Sequence, residues 1–124
     1  MVRKEKSESE KLAVAVINGM QQKNGLDIIR LDLSGIPNSV SNYFVICHGT
    51  SRPQIEAIAD AVIGEAKKQT GDKPWHKEGF ENAEWILIDY FDVVVHIFHE
   101  QTRDFYKLEG LWGDAGMTKF SSDK

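Results

Sequence analysis

The 124 residues predict an α+β fold, one mixed β-sheet flanked by helices. Apolar residues at helical spacing alternate with short apolar strands in the order helix, strand, strand, helix, strand, hairpin, helix. That order mixes adjacent strands with crossover helices, and a sandwich around a mixed sheet is its economical solution. Residues 43–47, Tyr-Phe-Val-Ile-Cys, are apolar on both sides, the pattern of a central strand covered on both faces or of a strand beside a dimer contact.

Each element has its own local signal. Residues 1–6 are charged and without periodicity, so residues 1–8 read as a flexible arm. Ser7-Glu8-Ser9-Glu10 is a capping box, after which Leu12, Val16 and Met20, joined by Ala13 and Ile17, form one apolar stripe that Asn24-Gly25 ends. Ile29, Leu31 and Leu33 alternate with Arg30 and Asp32 as in a half-buried strand, and Gly35-Ile36-Pro37-Asn38 breaks it. After the apolar strand, Ser51-Arg52-Pro53-Gln54 is a second capping box for a helix carrying Ile55, Ile58, Ala59, Val62, Ile63 and Ala66 and ending near Gly71. Residues 73–77 read as a short edge strand. Residues 85–89 and 92–98 are strands joined by Tyr90-Phe91, an antiparallel hairpin whose tight loop ordinarily takes Gly or Asn at positive φ. Residues 102–108 read as a short helix with Phe105, Leu108 and Trp112 at core spacing. Residues 9–112 thus make one domain, and 113–124 a flexible tail.

Composition narrows the function classes. A formal charge of −4 and a pI near 5.5 argue against free nucleic acid as the main ligand, because such binding relies on Lys and Arg displacing counterions. An acidic domain is instead suited to a basic protein, even one seated on a nucleic acid. No apolar run approaches the roughly 20 residues needed to cross a bilayer. Cys47 is the single cysteine, so no internal disulfide forms and a cytoplasmic location is expected.

The residues that invite a chemical reading are few. Gly49-Thr50-Ser51, between a strand and a helix, has the placement of an anion cradle. A nucleotidyltransferase would follow it with paired carboxylates, one residue apart on a strand, that hold two metals. That pair is missing. Asp89 and Asp92 flank the hairpin turn and leave from different strands, so an enzyme using Ser51, Asp89 and Asp92 is the weaker reading, and Ser51 as a plain N-cap the stronger. His48, His76, His96 and His99 have no ligand-like spacing, and no metal or cofactor is expected. On the hairpin, Trp85, Leu87 and Asp89 share one side. A Trp with a nearby carboxylate at a sheet edge is the composition of a binding hot spot, and core and interface both stay open for Trp85.

The stretch from Glu78-Gly79-Phe80 through Trp85 and Asp89-Tyr90 to Val94-Val95-His96 resembles the ribosomal silencing factor family, also called RsfS or Iojap. Arg103 with Tyr106, and Leu108-Glu109 through Leu111-Trp112, extend the match, as do Tyr43-Phe44-Val45-Ile46 and Thr50-Ser51 upstream. The resemblance covers roughly residues 13–115. It implies a fold related to the nucleotidyltransferases but a binding protein, not an enzyme. The implied partner is the large ribosomal subunit, held through its universal protein number fourteen. Occupying that surface would block joining of the small subunit and repress translation under nutrient limitation; organellar relatives act in large-subunit assembly. A homodimer is also implied. On this reading Trp85, Asp89 and Tyr90 contact the ribosomal protein. Two positions depart from the family pattern: Asn42, where Asp is common, and Phe91, where Gly is usual.

Overall fold

The computed structural model describes residues 5–39, 41–113 and 115–122. Its elements are α1 (Lys6–Gln22), β1 (Leu26–Asp32), β2 (Tyr43–Gly49), α2 (Arg52–Thr70), β3 (His76–Glu78), β4 (Trp85–Asp89), β5 (Val93–His99), α3 (Glu100–Tyr106), a 3-10 turn (Leu108–Trp112) and β6 (Gly116–Phe120). Six strands form one sheet in the order β3-β4-β5-β2-β1-β6. Only β2 and β5 run parallel; the other pairs are antiparallel. The α+β expectation therefore holds. The apolar strand β2 is central, so its two-sided apolar character is explained within the chain and no longer argues for a dimer contact.

The helix signals are used unevenly. At α2, Ser51 Oγ accepts from the Gln54 amide at 3.2 Å and Gly71 ends the helix at φ +78°, as the sequence predicts. At the end of α1, Asn24 takes φ +59° while Gly25 N–H donates to Met20 O at 2.8 Å and Asn24 N–H to Gln21 O, a Schellman stop. The capping box at Ser7 is not formed: α1 starts at Lys6 behind Glu5, with no side-chain cap. Tertiary contacts override it. Ser9 is fully buried and its Oγ accepts from Asn42 Nδ2 at 2.9 Å, while Lys6 Nζ pairs with Asp32 at 3.2 Å, so the turn that was to be a free arm is already held. Asn42 is thus a buried strut between α1 and β2, and its departure from Asp sits in the core.

The expected tail is corrected as well. Gly116–Phe120 pairs with β1 along its length, and Arg30 lies over the Tyr43 and Phe120 rings at 5.1 and 5.7 Å, which ties the last strand to the sheet. Trp112 falls in the 3-10 turn, and its side chain lies outside the described residues.

Helices α1 and α2 both cover one face of the sheet. There Leu12, Val16, Met20, Ile55, Ile58 and Val62 meet Ile28, Val45, Cys47, Ile86, Val95 and Ile97 in the main core. The helices cross closely at Gly19, where a Cβ would stand 2.7 Å from Val62 Cα. The opposite face has a smaller core of Ile29, Leu31, Leu33, Ile46, Phe98 and Leu108, roofed at one end only by α3 and the 3-10 turn. Toward β4 and the start of β2, Trp85, Leu87, Asp89 and Phe44 on that face are only half-buried.

Candidate functional site

Strand alternation builds this partly exposed half-face. Trp85, Leu87 and Asp89 of β4 stand beside Phe98, His96 and Val94 of β5, and Val94 and His96 in turn beside Phe44 and Ile46 of β2. Trp85, Leu87, Asp89 and Phe44 are half-buried, and Trp85 meets Tyr106 at the edge of α3. Their rings are in contact: Trp85 lies 4.8 Å from Phe98, 5.0 Å from Tyr106 and 5.9 Å from His96, and His96 lies 4.8 Å from Phe44, centroid to centroid. An aromatic surface with the Asp89 carboxylate at its border results.

His96 organises the middle of this surface. Trp85 Nε1–H donates to His96 Nδ1 at 3.1 Å, which leaves the proton of the neutral ring on Nε2, an atom without a partner among the described residues. Burial pushes the imidazole down to about 4, so it is neutral at physiological pH. The unfolded chain takes up this proton near the ordinary value of 6.5. His96 therefore contributes stability that is complete above that value and is lost as pH falls through the folded value. The expected loss between about pH 7 and about pH 5 is about 2 kcal/mol, read by urea unfolding. His96→Phe should remove that part of the pH dependence, and an identical slope in the variant would contradict the assignment.

Asp89 has a task inside the hairpin. Its Oδ1 accepts the Phe91 N–H at 2.6 Å, and Asp92 N–H donates to Tyr90 O at 3.0 Å around Phe91 at φ +73°. Phe91 thus occupies the left-handed conformation that favours glycine, and the Asp89 carboxylate helps hold it there. Tyr90 does not extend the patch. It follows Asp89 by one residue, points to the other face and is 5% exposed within the main core, so its ring is not available to a partner in this conformation.

The enzyme reading loses its geometry. Ser51 follows the end of β2 where Gly49 pairs with His99, whereas Asp89 and Asp92 sit at the other end, beside Val94 and Tyr43. Six strand residues, about 20 Å, separate the two ends. Ser51 serves as the α2 cap. Among the described residues no group of three or more His, Cys, Asp and Glu side chains is placed to hold a metal ion. A cavity of about 710 Å³ does lie beside α3, over the paired strands β1 and β6. Its charged walls are Arg103, Lys107 and Lys119 against Asp27, Asp104 and Glu109, a balance that selects no ligand charge. Arg103, which is buried, is already used: it donates from Nη1 to Leu26 O at 3.3 Å and to His48 Nδ1 at 3.0 Å, and pairs with Glu109 at 3.4 Å. The Arg103–Glu109 pair is therefore a brace for α3, and burial with the Arg103 charge lowers the His48 pKa.

A family model described as "Ribosomal silencing factor during starvation" spans residues 6–124. The chain belongs to the ribosomal silencing factor family. The chain is 46% identical over 95 residues, 77% of its own length and 79% of the relative's, to ribosomal silencing factor RsfS of Bacillus subtilis. It is 43% identical over 107 residues to RsfS of Halalkalibacterium halodurans, covering 86% of this chain and 90% of that one. Among solved structures, a crystal structure of a Chromobacterium violaceum protein superposes with a TM-score of 0.78 at 35% identity, covering 84% of this chain and 85% of that one. The family span includes β6, which the sequence patterns left out. No helix among the described residues is long and apolar enough to cross a membrane.

Sequence reasoning found Trp85 and Asp89 on this face but missed Phe44, Val94 and Tyr106. Phe44 and Val94 become neighbours only through the parallel pairing of β2 with β5, which separates them by fifty residues of chain. Tyr106 arrives by the turn of α3 back over Trp85.

Proposed function

We propose that this chain silences ribosomes by binding the large ribosomal subunit through the universal protein number fourteen, so that the small subunit is kept from joining and translation falls under nutrient limitation. The same contact, made during assembly, would serve a role in large-subunit biogenesis. The observation that carries the proposal is the partly exposed half-face of the sheet, with Trp85 as a half-buried aromatic anchor, Phe44 and Leu87 on the same face and Asp89 at its border. Large aromatics in a desolvated centre supply affinity, and carboxylates at a rim supply orientation toward a basic protein. Family membership directs that surface to the ribosome. Steric occlusion needs no catalytic group, which fits Ser51 and Asp89 being committed to a helix cap and a turn. Sedimentation with purified subunits tests the proposal: the chain should travel with large subunits and not with small ones, and migration with small subunits alone would overturn it.

A further inference from the structure

The sequence places Phe105 in the core, but the structure leaves it outside. Phe105 is 80% exposed and Tyr106 49%, adjacent residues at the end of α3. A single exposed aromatic is ordinary. This one is part of a continuous run: the Phe105 ring meets Tyr106 edge-on at 5.0 Å, Tyr106 meets Trp85 at 5.0 Å, and Trp85 leads through His96 to Phe44. The aromatic surface of the sheet therefore climbs onto α3 without a break. The helix that carries it is fixed, because buried Arg103 in the same turn ties α3 to β1, His48 and Glu109.

The rim of this extension is acidic. Glu84 adjoins Trp85, and Glu100 opens α3; both are exposed. Neither is held in an ion pair among the described residues. Lys107 is the one exposed cation on α3 and its cap. Such a border repels a phosphate backbone and attracts Lys and Arg side chains.

We infer that the docking surface of the proposed function continues off the sheet onto α3, with Phe105 and Tyr106 as a second aromatic anchor and Glu84 and Glu100 selecting a basic protein surface. The inference rests on the reading of the large subunit as target. It assigns to α3 a direct contact with the partner, whereas the sequence pattern would have made it packing.

The test is binding of the full chain to purified large ribosomal subunits, followed by pelleting over a range of salt. Phe105→Ser, at a side chain that is mostly in solvent, should leave thermal unfolding unchanged and weaken binding about thirtyfold. Glu84→Lys with Glu100→Lys should weaken binding most at low salt and flatten its salt dependence. Wild-type binding with an unchanged Phe105→Ser affinity would overturn the inference and leave the proposed function standing. An unchanged affinity and salt slope in the charge variant would overturn the basic-partner assignment. A wild-type chain that does not pellet with large subunits would bring down both the inference and the reading on which it rests.

Discussion

Gly79→Ala is expected to destabilise the fold by about 3 kcal/mol or more, the sum of a left-handed backbone and an overlap with a neighbouring strand. Gly79 has φ +87°, and a Cβ built there would overlap the Trp85 carbonyl oxygen and stand 2.9 Å from its carbon. Both atoms belong to backbone, so no side-chain rotation gives relief. The Glu78-Gly79 pair of the family motif is thus a device for bringing the end of β3 down onto the start of β4. Urea unfolding should show a lower midpoint with an unchanged slope. Gly64→Ala is the matching control: a Cβ meets nothing within 4 Å on α2, and helix propensity should raise stability by about 1 kcal/mol. Equal stability of Gly79→Ala and the parent would show that β3 does not approach β4 as described. Because the overlap falls on Trp85, any Gly79→Ala protein that still folds should also bind its partner less well.

Trp85→Ala is expected to cost about 2–4 kcal/mol of binding to the large subunit, as truncation of a central aromatic anchor does. The same change removes the ring that packs on Phe98 and Tyr106 and the donor to His96 Nδ1, so some stability is lost with it. Binding must then be corrected for the folded fraction from unfolding curves. Asp89 requires a gentler substitution. Charge reversal there would also remove the acceptor of the Phe91 N–H and disturb the turn, whereas Asp89→Asn keeps an oxygen in that place and removes only the charge. The Asn variant should remain folded and bind with a slower association rate and a weaker salt dependence. A folded Asp89→Asn chain with the parent's rate at both low and physiological salt would place Asp89 outside the interface.

The sequence carries the parts of the fold that local chemistry determines. The Ser51 cap, the Pro53 entry, the Gly71 stop and the β4–β5 hairpin are each written in a few neighbouring residues, and each is found in the structure. What failed depended on distant partners. Strand β6 is short and, apart from half-buried Phe120, exposed along its length, so it shows no alternation; only pairing with β1, over eighty residues upstream, makes it a strand. The box at Ser7 lost to the buried Ser9–Asn42 contact for the same reason. Phe105 has core spacing but occupies a helix of seven residues whose buried side is taken by Arg103. Tyr90 follows Asp89 by one residue, so strand alternation alone puts it on the face opposite Trp85 and Asp89. The strain at Phe91 was legible from the loop length and is present at φ +73°.

The central claim is that an aromatic, acid-rimmed half-face binds the large ribosomal subunit and excludes the small one. Gradient sedimentation of both purified subunits with increasing amounts of the chain tests it most directly. The account predicts that the chain migrates with the large-subunit peak, that the joined-ribosome peak shrinks as that band fills, and that Trp85→Ala at equal folded concentration leaves joining intact. A joined peak of unchanged size while the chain saturates the large subunit, or a chain that stays at the top of the gradient, would contradict it.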